Sequence, residues 1–315
     1  MCAQNKNKMK KLLLYLCMPL ASLVLLASCI KEDMSDCERC TLTFYYEGDV
    51  NYDIFPQHIT SVSLYVFDAD NRVVQTKRIE QNELRAFQGT KLNLCPGEYR
   101  VIGVGNQYDK TVVENVSSRN FSQIIFRHPN AGKGVVEGND PLYLGILDIT
   151  IPEDYWYEDD VPFRSSHLKV SYTVKGYVNP NAAPEASASR AGSGYLELRV
   201  KNLLPQTDFE NRAHGEKVTY NPVLNLNMEN GDHEGYFNIM RHAKDADAEF
   251  ELVDKASGEV VHTLTLADFL AEFTQVDVTL QEVLIPIVVE FKNIGVTVTI
   301  PDWMINDVKP GYGNN

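Results

Sequence analysis

The sequence predicts an all-β protein, and three observations carry that reading. Apolar residues recur with a period of two, as in Ser166-His167-Leu168-Lys169-Val170-Ser171-Tyr172-Thr173-Val174, which turns one side of an extended strand toward a core. Clusters of Gly, Pro, Asn and Asp punctuate these runs and mark turns. Helical spacing is confined to two short stretches, Gln81 to Phe87 and Leu266 to Phe273. Past a leader of 28 residues, 287 of the 315 residues remain. That is long for one antiparallel sandwich and sufficient for two domains of about 120 to 150 residues.

The leader is residues 1–28. Lys6, Lys8, Lys10 and Lys11 precede an apolar run from Leu12 to Leu26, which is signal-peptide anatomy and short for a membrane span. Leu26, Ala27 and Ser28 directly before Cys29 have the form of a bacterial lipobox. Cys29 is then the first mature residue, carrying a diacylglycerol on its sulfur and an acyl chain on its nitrogen. Several chains give stable attachment, since each buried methylene contributes roughly 0.8 kcal/mol and one chain holds only marginally. Lys31, Glu32 and Asp33 form a charged tag of the kind that sends some lipoproteins to the outer leaflet. Residues 29–39 read as a lipidated tether, 40–162 as an N-terminal β-sandwich and 163–315 as a C-terminal one.

The leader contains four lysines and no acid, so 25 basic residues face 43 acidic ones in the mature chain, a net charge of −18. That balance argues against nucleic-acid or phosphate surfaces. Of the six cysteines, Cys37, Cys40 and Cys95 remain free to pair once Cys2, Cys17 and Cys29 are set aside. In an oxidising compartment the expected disulfide joins Cys95 to Cys40 or Cys37.

Thr41 to Tyr46 is the first strand, and Ile59 to Phe67 pairs with Arg72 to Ile79 through the turn Asp68-Ala69-Asp70-Asn71. Lys91 to Leu94, Tyr99 to Asn106 and Leu142 to Ile151 are further strands, and Glu153 to Asp160 is an acidic-aromatic boundary segment. Asn179 to Ser193 lacks the apolar residues to pack and reads as a loop. Tyr195 to Val200, Thr219 to Met228, Tyr236 to Met240, Ala248 to Val253 and Val260 to Thr263 are strand candidates. Thr265, with Asp268 three residues on, caps the one clear helix. Val283 to Phe291 and Ile294 to Ile300 form the closing pair, with Val296, Val298 and Ile300 on one side and Thr297 and Thr299 on the other. Pro286 cannot donate to a ladder and belongs at an edge or bulge.

No catalytic or metal site is expected. The seven histidines show no ligand spacing such as H-E-x-x-H. Asp68 to Asn71 lacks the glycine and distal glutamate of a calcium loop, and Gly231 to Gly235 reads as a turn. Tyr155, Trp156 and Tyr157 either pack the domains together or form a sugar-stacking platform.

Several segments together resemble the FimB-like fimbrial anchor subunits of the fimbrillin, or type V, pili. They are the lipobox with Lys31-Glu32-Asp33 and Ser35-Asp36-Cys37, Tyr45-Tyr46, Ile59 to Asp68, Pro96 to Val101, Gly105-Asn106, Leu168-Lys169-Val170 and Ile300-Pro301-Asp302-Trp303. The resemblance implies two tandem transthyretin-like β-sandwich domains in an outer-membrane lipoprotein that anchors a fimbrial shaft and limits its length. It also implies assembly by strand exchange, for which Val296, Val298 and Ile300 are the candidates here. The expected partners are a shaft subunit and the membrane, with no nucleic acid, small-molecule substrate or cofactor. In shaft subunits an arginine-specific protease removes the first strand, and Arg39 offers such a protease a target. A tip or accessory pilin, an adhesin, a glycan- or host-protein-binding lipoprotein and, last, an enzyme are the alternatives.

Overall fold

The computed structural model describes residues 39–153, 156–178, 194–241 and 247–305. The expectations for Leu26, Ala27, Ser28, Cys29, Lys31, Glu32, Asp33, Cys37 and Tyr155, and for the loop 179–193, lie outside these residues. The fold is all-β, with twenty strands and a few single-turn or two-turn helices among the described residues.

The first nine strands are β1 (Cys40–Tyr45), β2 (Val62–Asp68), β3 (Val73–Ile79), β4 (Gly89–Leu92), β5 (Gly97–Gly105), β6 (Val112–Glu114), β7 (Ile125–Arg127), β8 (Tyr143–Ile151) and β9 (Tyr157–Ser165). Seven of them form one sheet in the order β3-β2-β5-β8-β9-β1-β4. β1 runs parallel to β9 and antiparallel to β4, and its alternation is strict: Cys40, Leu42 and Phe44 are fully buried. The Phe44 ring meets Phe55 at 5.8 Å and Phe163 at 5.6 Å.

The second half supplies β10 (His167–Lys175), β11 (Leu196–Leu203), β12 (Gln206–Asp208), β13 (Ala213–His214), β14 (Val218–Tyr220), β15 (Asn225–Leu226), β16 (His233–Met240), β17 (Glu249–Asp254), β18 (Val260–Thr265), β19 (Leu284–Lys292) and β20 (Gly295–Thr299). They build a five-stranded sheet, β15-β16-β10-β19-β20, and a four-stranded sheet, β14-β11-β17-β18. A core of Val170, Tyr172, Leu198, Phe250, Ile287 and their neighbours lies between the two. The helix Leu266–Glu272 starts as its sequence predicts, with the Thr265 hydroxyl accepting from the Asp268 amide at 3.1 Å. The helix Gln81–Ala86 carries a capping box on Glu80 and Glu83. The strand expected over Thr219 to Met228 is two short strands, because Pro222 between them withholds a ladder donor.

The expected boundary between 162 and 163 falls inside β9, which stays in the first sheet to Ser165. A small sheet also crosses it: β12 of the second half adds to β7 of the first in the order β13-β12-β7-β6. Here one turn occurs twice. Asp68 accepts from the amides of Asp70 and Arg72 at 2.9 and 2.8 Å, and Asn71 takes φ 58°. Asp208 accepts from those of Glu210 and Arg212 at 2.9 and 3.0 Å, and Asn211 takes φ 62°. A carboxylate that ties down the turn and an Asn tolerant of left-handed backbone explain both.

One disulfide expectation needs correction: among the described residues Cys40 and Cys95 are not joined to each other. Cys40 faces Leu92 and Tyr157 inside the sheet, whereas Cys95 stands exposed beyond the end of β4. Burial, with help from Asp159, pushes the Cys40 thiol up to about 11, so it stays protonated and inert. The alternative partner, Cys37, is outside the described residues.

Candidate functional site: an open strand edge above a polar joint

β19 and β20 form a hairpin through the two-residue turn Asn293-Ile294, closed by the pair Lys292↔Gly295. Gly295 takes φ 143°, a backbone conformation that side chains resist. Ile285, Ile287 and Val289 of β19 are fully buried. Along β20 the burial tapers toward the turn: Ile300, just past the strand, is buried, Val298 opposite Val289 packs on the core, and Val296 opposite Phe291 is 37% exposed. At the tip, Ile294 is 97% exposed. The β19–β20 ladder ends at Val288↔Thr299, so Pro286 has a partner on the β10 side and no ladder to interrupt on the other.

β20 ends the five-stranded sheet, and among the described residues one row of its backbone groups has no strand partner. Edges are usually blunted by charge, bulges or a covering helix. β3 carries Lys77 and Arg78, and its ladder with β2 is bulged. β18 has a register shift against β17 and runs straight into the helix Leu266–Glu272. β20, Gly-Val-Thr-Val-Thr, has no charge, and its ladder with β19 has no shift.

Just ahead of β19, Glu282 joins the two halves. Its carboxylate accepts from Tyr46 at 2.6 Å, Tyr143 at 2.8 Å and Lys169 at 2.5 Å, and His58 lies 3.4 Å away. Burial pushes this carboxyl up, but the bonds from Lys169, Tyr46 and Tyr143 outweigh it and hold the group below the usual carboxylate range. Burial and the same carboxylate raise both tyrosines well above their ordinary value. Asp49 accepts from the amides of Gln281 and Glu282, both at 2.8 Å. Arg241 donates to the carbonyls of Ser165, Val278, Leu280 and Gln281 at 2.9 to 3.1 Å. The hairpin therefore grows from a segment pinned to both halves.

Of the strand-exchange candidates, Val296 and Val298 lie on β20 and Ile300 directly follows it; Val298 and Ile300 pack on the core, whereas Val296 is exposed. Arg39 lies at the start of β1, where its guanidinium donates to the Glu153 carbonyl at 3.2 Å and its own carbonyl accepts from the Tyr157 amide at 2.9 Å. Trp156 is exposed, and the Tyr157 hydroxyl donates to Asp159 at 2.6 Å. Sequence reasoning missed Glu282 and Ile294; the only trace of the latter is a hydrophobe inside a hairpin turn. Among the described residues no His, Cys, Asp or Glu cluster suits a metal, and no helix is long and apolar enough to cross a membrane.

A stack of β-sheets with an undefended rim and a braced joint defines a structural module of a protein assembly. The sequence profile of the fimbrillin-A associated anchor proteins Mfa1 and Mfa2 matches residues 34–309, and the chain belongs to that family. Membership gives it a fimbrial anchor or accessory role in association with other fimbrial subunits at the cell surface. The family is structural rather than catalytic. Solved structures share the fold. A candidate adhesin from Bacteroides ovatus aligns at 18% identity over 84% of this chain and 94% of its own, with TM-score 0.66. A candidate polysaccharide-binding protein from Bacteroides thetaiotaomicron aligns at 15% over 84% and 96%, with TM-score 0.65. The fimbrial anchor protein Mfa2 from Porphyromonas gingivalis aligns at 12% over 82% and 94%, with TM-score 0.60. Comparison with curated proteins gives no match.

Proposed function

We propose that this chain is the lipid-held foot of a fimbrium. Acylated Cys29 fixes it in the outer membrane, a shaft subunit adds a strand along the free edge of β20, and this fixed end limits shaft length. The observation that carries the contact is that uncharged, unbulged edge with Ile294 at its tip. In strand addition, main-chain hydrogen bonds give affinity and alternate side chains give register. Because Val298 and Ile300 are held by the core, β20 acts as the acceptor and stays in its own sheet.

Immunogold labelling of intact fimbriae tests the reading. The foot labels only the base, and Cys29→Ala releases whole fimbriae into the medium; label along the shaft or at the tip would assign an accessory or tip pilin instead. Deleting residues 294–315 tests the edge but also takes Ile300 from the core. The paired changes Ile294→Lys and Val296→Lys avoid that loss and charge the same edge. Fimbriae that stay attached to a folded Ile294→Lys, Val296→Lys protein would refute the β20 contact while leaving the lipid anchor standing.

A further inference from the structure

The outer face of the five-stranded sheet carries a second surface, distinct from the β20 edge. A groove of about 620 Å³ runs over β16, β10, β19 and β20, with Trp303 of the short helix Asp302–Ile305 at one side. That volume lies within the range of small-ligand sites. Its two large rings are turned to solvent: Tyr236 is 75% exposed and Trp303 63%. The rest of the lining is mainly polar, with the hydroxyls of Ser171, Thr173 and Thr299 beside the apolar Leu284 and Val288. The lining holds Asp232, Glu234, Glu290 and Asp302 against Lys175, and Lys292 pairs with Glu290 at 2.9 Å, so the groove remains net negative. Partial burial, opposed by Lys175 and reinforced by Glu234, raises the Asp232 carboxyl.

These features select the ligand's chemistry. The floor strands β10 and β19 are paired on both sides, so an extended peptide would find no free main-chain groups there. Recognition falls to side chains. Exposed rings on a floor of hydroxyls and carboxylates suit a molecule with apolar C–H faces and many hydroxyl groups, because rings accept the faces while oxygens bond the hydroxyls. The negative lining repels sialylated, sulfated or phosphorylated groups. We propose that this groove binds a neutral oligosaccharide, stacked on Tyr236 and Trp303.

The chain has two tryptophans, Trp156 and Trp303, so Trp156→Phe leaves Trp303 as the sole reporter. The full chain is screened on an array of neutral and sialylated oligosaccharides, and hits are titrated by tryptophan emission and calorimetry. A neutral glycan is expected to shift Trp303 emission saturably, with sialylated ones inactive. Tyr236→Ala and Trp303→Ala should each weaken binding about tenfold or more, the effect of losing one central aromatic contact. Tyr236→Phe keeps the ring and should retain most of the affinity. Both residues are exposed, so unchanged thermal unfolding separates lost binding from lost folding. The proposal is overturned if no neutral glycan on the array binds, if binding survives both alanine changes, or if a lysine-rich peptide proves the better ligand of the groove. None of these outcomes bears on the attachment of fimbriae at β20.

Discussion

β1 and β20 are written in nearly the same alphabet, Cys-Thr-Leu-Thr-Phe-Tyr and Gly-Val-Thr-Val-Thr, and occupy opposite situations. β1 has β9 on one side and β4 on the other, and its apolar residues are sealed. β20 has β19 on one side and, among the described residues, no strand on the other. Alternation decides which face of a strand goes inward, because successive side chains point to opposite sides. It does not say whether the strand's flanks are paired. A strand held on both flanks is part of the scaffold, whereas one held on a single flank can take a partner. The same contrast bears on Arg39, which directly precedes β1: loss of that strand would strip the interior of a sheet and part β4 from β9, not trim a loose end.

The comparison can be broken by substitution. Phe44→Ala should cost about 3 to 5 kcal/mol, as for a fully buried ring that leaves a cavity, read from urea unfolding. A cost near zero would mean that β1 is not the keystone its burial indicates. Glu282→Ala should cost about 2 to 3 kcal/mol, because it strands the Tyr46 and Tyr143 hydroxyls and Lys169 at the joint directly after β1. Glu282's folded pKa lies below its ordinary 4.5, so its contribution is present above about pH 4.5 and fades as pH falls through the lower folded value. Glu282→Gln should flatten that acid limb.

A pH-dependent effect sharpens the picture within the second half. Burial lowers His167 to about 4 from 6.5, despite its contact with the Leu142 carbonyl. His233 is likewise lowered to about 4, by burial and Lys255. Each therefore stabilises the fold above pH 6.5, and that support is lost between pH 6.5 and 4, at up to about 1.4 kcal/mol per pH unit. His167→Gln should remove its share of the slope, measured by urea unfolding across that window. The smallest effect is expected at the rim. Val296→Ala should shift stability by no more than about 0.5 kcal/mol, and a larger loss would mean that β20 is as integral to the core as β1.

Much of the fold could be read from residue order. The Asp68 turn, the Thr265 cap and the faces of β2, β10 and β19 are local, and each is visible within a dozen residues. β6, β7, β12 and β13 escaped because strands of two or three residues have no period to detect. The recurrence of Asp68-x-x-Asn71-Arg72 at Asp208-x-x-Asn211-Arg212 was the signal that would have found the second turn. The Cys40 pairing failed because cysteine count carries no depth: Cys40 points inward and Cys95 outward.

By itself, the order of residues determined what short-range chemistry determines here: extended strands, their inward faces, their turns and caps, and an acidic surface. Tertiary structure alone decided which strand lies at the rim, which distant hydroxyls converge on Glu282, and that Tyr236 and Trp303 flank one groove. Those outcomes depend on pairings between residues tens to hundreds of positions apart, and a period of two carries no information about who stands alongside.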